Sequence, residues 1–386
     1  QSATSMLPQM VLSGVLLLIA CLTVLADRPR HGEWLCVFAF ALLAMLWATS
    51  TPSARAQTVS TFALLAGGGA AWVIGLHLGP TARRRSLGDR VSLTAGLAGM
   101  IWLFAWMLAS GGGSVFRDAL GSGHDSGALY VSLLVLATSR LLTVPPRRGS
   151  RNMSLTQRWS ETASRRPATV ALAVLSGAAI AQTGSGPILA ISVLAISGVF
   201  ALQVEARKDE DSFPFGTPAF PALLVFNALA GLVVTISMML ALAGITDTRA
   251  EVAIYRDTIV EAVRAAPLLG HGLGSHAEII AAASTPDAVG PLTRVKAAGL
   301  WPTAWLLEIG LLGVAAITLG LLHVVRVLWG GIRASKVSAA HGLILCWIAL
   351  ACAVTGIGLA EPVFLWLLMF LIAESYAACT APAREN

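Results

Sequence analysis

The sequence predicts an all-α polytopic membrane protein with about eleven or twelve transmembrane helices and one large loop on the outer side of the membrane. Apolar residues make up 56% of the 386 residues and charged residues only 12%, and the mean hydropathy is +0.76. Soluble domains carry roughly twice that share of charged residues. Lipid is therefore the expected solvent, and a chain of two or three soluble domains is excluded.

Eleven apolar runs predict the individual helices, because roughly 20 apolar residues cross a bilayer as one helix. The first run has no basic segment before it and no small-residue cleavage site, so we expect a retained helix. The five cysteines lie in or beside these runs without a CxxC pair, which argues against a metal site or a disulfide framework. In chain order the runs occupy residues 6–26, 34–49, 59–78, 91–109, 127–144, 167–182, 187–205, 218–245, 298–326, 340–357 and 361–379.

Basic residues alternate between the connections and predict the orientation. Four arginines lie at positions 83–90 and six at 147–166, whereas the connection between these two carries Arg117 alone. Connections rich in Lys and Arg stay in the cytoplasm, so the amino terminus is expected outside and the carboxyl terminus inside. The same pattern explains the net charge of +6 without nucleic acid as a partner.

One long connection, residues 246–297, divides the chain into membrane helices 1–245, this outer loop, and C-terminal membrane helices 298–386. Long loops are translocated regardless of their charge, so its five basic residues do not change the orientation. Connections of this length are usually functional. Residues 248–266 are predicted to form an amphipathic helix that ends at Pro267.

A glycine-rich turn follows that helix. Gly270, Gly272 and Gly274 allow backbone N–H groups to approach an anion. Arg256, on the preceding helix, could hold a diphosphate through two parallel hydrogen bonds. An ordinary helix cap followed by a flexible turn explains the same spacing.

Two motifs resemble those of the O-antigen ligase and polysaccharide polymerase superfamily of bacterial membrane glycosyltransferases. The first is Arg256 followed by Pro-Leu-Leu-Gly-His-Gly-Leu-Gly at residues 267–274, and the second is Leu-Glu-Ile-Gly-Leu-Leu-Gly at residues 307–313. Segments 46–54 and 120–125 also look like outer loops of that family. The resemblance covers most of the chain.

The resemblance implies a GT-C-like fold in the bacterial inner membrane with a large periplasmic loop. It also implies metal-independent glycosyl transfer that needs no cofactor. The donor would be a glycan linked to a polyprenyl diphosphate such as undecaprenyl diphosphate, and the acceptor a glycan or glycolipid facing the periplasm. The product would be exopolysaccharide or O-antigen if the protein is a polymerase, or lipopolysaccharide if it is a ligase.

Two departures from the family pattern concern its charged groups. The family has an arginine in a mid-chain turn where this chain has Gly-Ser-Gly-Pro at residues 184–187. It also has a histidine, taken to activate the acceptor, where this chain has Gly299. Arg256 is therefore the one charged site residue carried over directly.

Loop residues could supply the missing groups. Arg294 and Lys296 are candidates for holding the diphosphate, or else charges at a membrane boundary. His276 is the candidate general base and His271 a second one, because a neutral imidazole suits proton abstraction at neutral pH. Either histidine could instead be simply solvated.

Glu308 is a further candidate, because an ionisable group within an apolar helix is expensive. Helix capping or a helix contact is the alternative. Two other function classes stay open: a non-catalytic relative that binds glycan in an export assembly, and a transporter. The long outer loop and an expected lack of charge pairs within the apolar helices disfavour the transporter, and His341, at a helix end, is expected to be structural.

Overall fold

The computed structural model describes most of the chain as helices, with no strand among the described residues. The described residues are 3–26, 55–110, 123–142, 164–206, 260–272, 275, 279, 301–334, 336–355 and 362–381.

Nine long helices lie within the described ranges. They coincide with nine of the predicted apolar runs, while the runs at 34–49 and 218–245 lie outside the described residues. In chain order they are α1 (Ala3–Ala26), α2 (Arg55–Leu78), α3 (Ala82–Ser110), α4 (Gly123–Leu142), α5 (Pro167–Thr183), α6 (Gly186–Ala206), α7 (Trp301–Arg333), α8 (Val337–Thr355) and α9 (Pro362–Thr380).

The start of α3 corrects one predicted boundary. The helix begins at Ala82, nine residues before the predicted start at 91, and therefore contains the arginines at 83–85 and Arg90 that were assigned to a loop. Arginine is a good helix former, and its long aliphatic stem can lie along the helix while the guanidinium reaches a polar region. The apolar run thus marks the apolar part of this helix and its end, but not its start.

Three helices in the described part of the chain are long and apolar enough to cross a membrane: Arg84–Ala109, Trp305–Arg333 and Val363–Thr380, with mean hydropathies of 1.8, 2.1 and 1.8. On α3, Trp102 and Leu108 are 62% and 78% exposed. Large apolar side chains that remain exposed on a helix are expected where lipid is the solvent. The described fold is thus all-helical and compatible with a membrane protein.

The chain forms two compact units, each built from segments that are distant in sequence. The predicted three-part division at 245 and 297 stays a prediction. The first unit comprises Gln1–His77, Met238–Val324 and Leu350–Phe370. The second unit comprises Leu78–Ser237, Val325–Ala349 and Leu371–Asn386.

Small residues bring the helices of the first unit together. Ser13 on α1 donates its hydroxyl to the carbonyl oxygen of Ala63 on α2, at 2.8 Å. Gly67 on α2 lies directly against the indole of Trp366 on α9, which donates Nε1–H to the carbonyl of Leu64 at 2.9 Å. The absence of a side chain at Gly67 is what leaves room for that ring.

In the second unit, α4 packs along α5 and α6. Gly127 on α4 makes room for Ile188 on α6. The α5–α6 turn is short because Gly184 adopts a left-handed conformation (φ 64°), and Ser185 Oγ accepts the N–H of Ile188 at 3.3 Å. The mid-chain departure from the family pattern is therefore a tight capped turn between two helices.

Candidate functional site

A break at Gly310 is the central feature of the site. This residue has φ 64° and ψ −175° inside α7, a backbone region that is essentially reserved for glycine. A Cβ there would overlap the carbonyl oxygen of Leu268. Because a broken helix leaves carbonyls before the break and N–H groups after it without helical partners, other groups must bind them.

The loop segment 267–272 supplies those partners. Its backbone donates two hydrogen bonds to the carbonyls before the break and accepts two from the N–H groups after it, and we call this paired arrangement the backbone latch. It joins the two motifs on which the family resemblance depends. The four bonds are His271 N–H to Leu307 O at 2.9 Å, Gly272 N–H to Glu308 O at 3.0 Å, Leu311 N–H to Pro267 O at 2.9 Å, and Leu312 N–H to Leu268 O at 3.1 Å.

Gly270 allows the two backbones to come this close. It has φ 67°, and a Cβ there would lie 2.6 Å from the carbonyl carbon of Glu308. Its N–H donates to the carbonyl of Ala266 at 3.1 Å, just after the loop helix, whose described residues are 260–265. The glycine spacing therefore reflects close backbone approach.

The His271 ring binds the loop helix. Its Nε2 lies 2.7 Å from the carbonyl oxygen of Ala262. A carbonyl oxygen only accepts, so Nε2 carries the proton and a neutral ring has its basic lone pair on Nδ1. His271 thus caps the end of the loop helix.

Ser275 continues the structure beyond the latch. It is 3% exposed, and its hydroxyl donates to the carbonyl of Gly272 at 2.7 Å. The N–H of Ile279 donates to the carbonyl of Ser275 at 3.0 Å, as in a helical turn. Ser275 is thus held by local hydrogen bonds on both sides.

Of the predicted site residues, the structure brings Gly272 and His271 together with Glu308. The Gly272 N–H is bound to the Glu308 carbonyl, so the geometry does not support it as a diphosphate ligand. Glu308 is partly buried. The remaining predicted site residues lie outside the described residues: Arg256, Gly274, His276, Arg294 and Lys296.

No family model, no curated protein and no solved structure matches this chain. Among the described residues, no group of three or more His, Cys, Asp or Glu side chains is placed to hold a metal ion.

A charge cluster in the second unit corrects the expectation that charge pairs are absent from the apolar helices. Arg140 on α4 forms a close ion pair with Asp89 on α3 and lies 3.7 Å from a carboxylate oxygen of Glu374 on α9. The three side chains are 12%, 20% and 3% exposed, respectively. We name Asp89, Arg140 and Glu374 the charge cluster.

The sequence did contain a signal for this cluster. Arg140 lies in the predicted run 127–144 and Glu374 in the run 361–379, and an ionisable residue within such a run is a functional candidate by default. His341, expected to be structural, is 2% exposed and interacts electrostatically with Arg140. The cluster therefore gathers residues from three helices, and His341 of a fourth helix, α8, interacts with it.

Proposed function

We propose that this chain is an inner-membrane glycosyltransferase of the polysaccharide polymerase or O-antigen ligase type. It would transfer a glycan from a polyprenyl diphosphate carrier to a periplasmic acceptor. The observation that carries the proposal is the backbone latch, because it joins the two motifs by which the chain resembles that superfamily.

The latch supports this function by its position between charged segments. It fixes residues 267–272 against the break in α7 through four backbone hydrogen bonds. Arg256 precedes the fixed segment, His276 follows the buried Ser275 directly, and Arg294 and Lys296 precede α7. A rigid backbone between groups that act on one substrate keeps their geometry reproducible.

The proposed step is a displacement at the anomeric carbon. The acceptor oxygen forms a bond to that carbon while the bond to the diphosphate oxygen breaks, and the acceptor proton passes to His276. Negative charge then develops on the leaving diphosphate, where Arg256, Arg294 and Lys296 would stabilise it. Arginine suits this role because its planar guanidinium binds two phosphate oxygens at once.

Transfer activity in vesicles tests this proposal. The full chain is reconstituted with a polyprenyl diphosphate glycan and an acceptor, and Arg256→Ala is compared with the wild type at equal amounts of folded protein. Loss of one stabilising group of this kind lowers turnover by roughly 100-fold or more. Arg264→Ala is the matched control, because Arg264 is exposed on the neighbouring loop helix and should leave turnover unchanged.

Equal activity of Arg256→Ala and Arg264→Ala would contradict the assignment of Arg256. A wild type that transfers none of several glycans to any acceptor would refute glycosyl transfer. Retained binding of the diphosphate glycan without transfer would then identify a glycan-binding relative.

A further inference from the structure

The charge cluster of the second unit contains one cation for two carboxylates. Arg140 is in close contact with Asp89, while the nearer oxygen of Glu374 lies 3.7 Å away. At that distance the guanidinium makes no short hydrogen bond with Glu374. Arg140 is thus engaged mainly by one of two competing carboxylates.

Glu374 is the more deeply buried of the two carboxylates and lies farther from the guanidinium of Arg140. Its side chain is 3% exposed, and its Oε1 accepts no hydrogen bond from the residues that the structure describes. Burial of a carboxylate oxygen that accepts no hydrogen bond favours the neutral form of the group. The geometry therefore favours a proton on Glu374 while Arg140 is paired with Asp89.

Two further arginines near the cluster each donate a hydrogen bond to a backbone carbonyl. Arg85 donates its Nε–H to the carbonyl of Gly79 at 3.1 Å, and Arg166 donates to the carbonyl of Arg140 at 3.0 Å. Among the described residues, charged and titratable groups that act on Glu374, Asp89 or Arg140 include Arg85 from α3, Arg166 at the start of α5 and His341 from α8.

We propose that the charge cluster is a proton-binding site in which Glu374 and Asp89 compete for Arg140. The O–H bond of the Glu374 carboxyl breaks, its proton passes to water, and the new carboxylate draws the guanidinium away from Asp89. Uptake of a proton reverses the step. Because Asp89 lies on α3 and Glu374 on α9, the proton decides which of these helices is tied to α4.

Infrared difference spectroscopy on the full chain in lipid vesicles tests this proposal. In mildly acidic buffer the wild type should give the carbonyl stretch of a protonated carboxylic acid, which shifts in D₂O and disappears as the pH is raised. Glu374→Gln should remove this band. Glu261→Gln is the matched control, because Glu261 is exposed and its removal should leave the band intact.

Asp89→Asn gives an independent readout. Without the competing carboxylate, Arg140 can pair with Glu374, so the band should already be lost in mildly acidic buffer although Glu374 is present. Two results would overturn the proton site. One is a carbonyl band that persists in Glu374→Gln, and the other is a wild type that shows no such band at any pH where the chain is folded. A band unchanged in Asp89→Asn would overturn the competition for Arg140.

Discussion

The substitution Gly310→Ala should open the backbone latch and destabilise the first unit. An alanine at φ 64° and ψ −175° is strained, and its Cβ would overlap the carbonyl of Leu268, which is backbone and cannot rotate away. The strain costs on the order of 1–3 kcal/mol. Each latch hydrogen bond that is lost costs about 0.5–1.5 kcal/mol more.

If two of the four latch bonds break, the total loss is about 2–6 kcal/mol. This is a large part of the roughly 5–15 kcal/mol that stabilises a typical protein. Urea unfolding of the purified chain in detergent micelles measures the change. Gly320→Ala is the control on the same helix, since no atom lies within 4 Å of its Cβ position, and it should be neutral or stabilising by about 0.5–1 kcal/mol. An unfolding midpoint of Gly310→Ala as high as that of Gly320→Ala would refute this account of the latch.

Two further predictions use the same unfolding measurement. Gly270→Ala should also open the latch, because its Cβ would lie 2.6 Å from the Glu308 backbone. The double variant with Gly310→Ala should lose no more stability than the less stable single variant, since both substitutions break the same hydrogen-bond network. Fully additive losses in the double variant would contradict this. Gly67→Ala should lower the free energy of unfolding by about 1–3 kcal/mol, because its methyl group overpacks against Trp366. Gly14→Ala, with open space at its Cβ position, is the control and should not lower it. An unchanged stability of Gly67→Ala would refute the packing of Gly67 against Trp366.

Hydropathy predicted the helices well, because a long apolar segment is expected to face lipid and to cross it as a helix. Nine described helices coincide with apolar runs. It failed at the start of α3, because arginines extend a helix without being apolar. Hydropathy also gave no sign of Arg140 and Glu374, because one charged residue changes the mean hydropathy of a long segment very little. Their pairing depends on how α3, α4 and α9 meet, which the spacing along the chain does not specify.

The candidate site was predicted in part. The glycine turn was identified from its spacing and the second motif from the resemblance, and the structure brings them into contact at Gly270 and Gly310. The hydrogen-bond partners could not be predicted, because a glycine permits positive φ without requiring it. The expected N–H donor at Gly272 instead binds a carbonyl of the same chain. The roles in diphosphate binding of Arg256, Arg294 and Lys296, and of His276 as the general base, remain predictions.

The latch also separates two kinds of sequence change. The latch hydrogen bond between Gly272 and Glu308 holds the two ends of the segment 273–306 close together. Closing a longer flexible segment costs only about 0.6 kcal/mol for each doubling of its length. One extra residue within 267–272 would shift the register of all four latch bonds, whereas extra length between the two joined points would cost little in loop-closure entropy. The six residues 267–272 are therefore the part of this connection whose length is fixed by backbone hydrogen bonds.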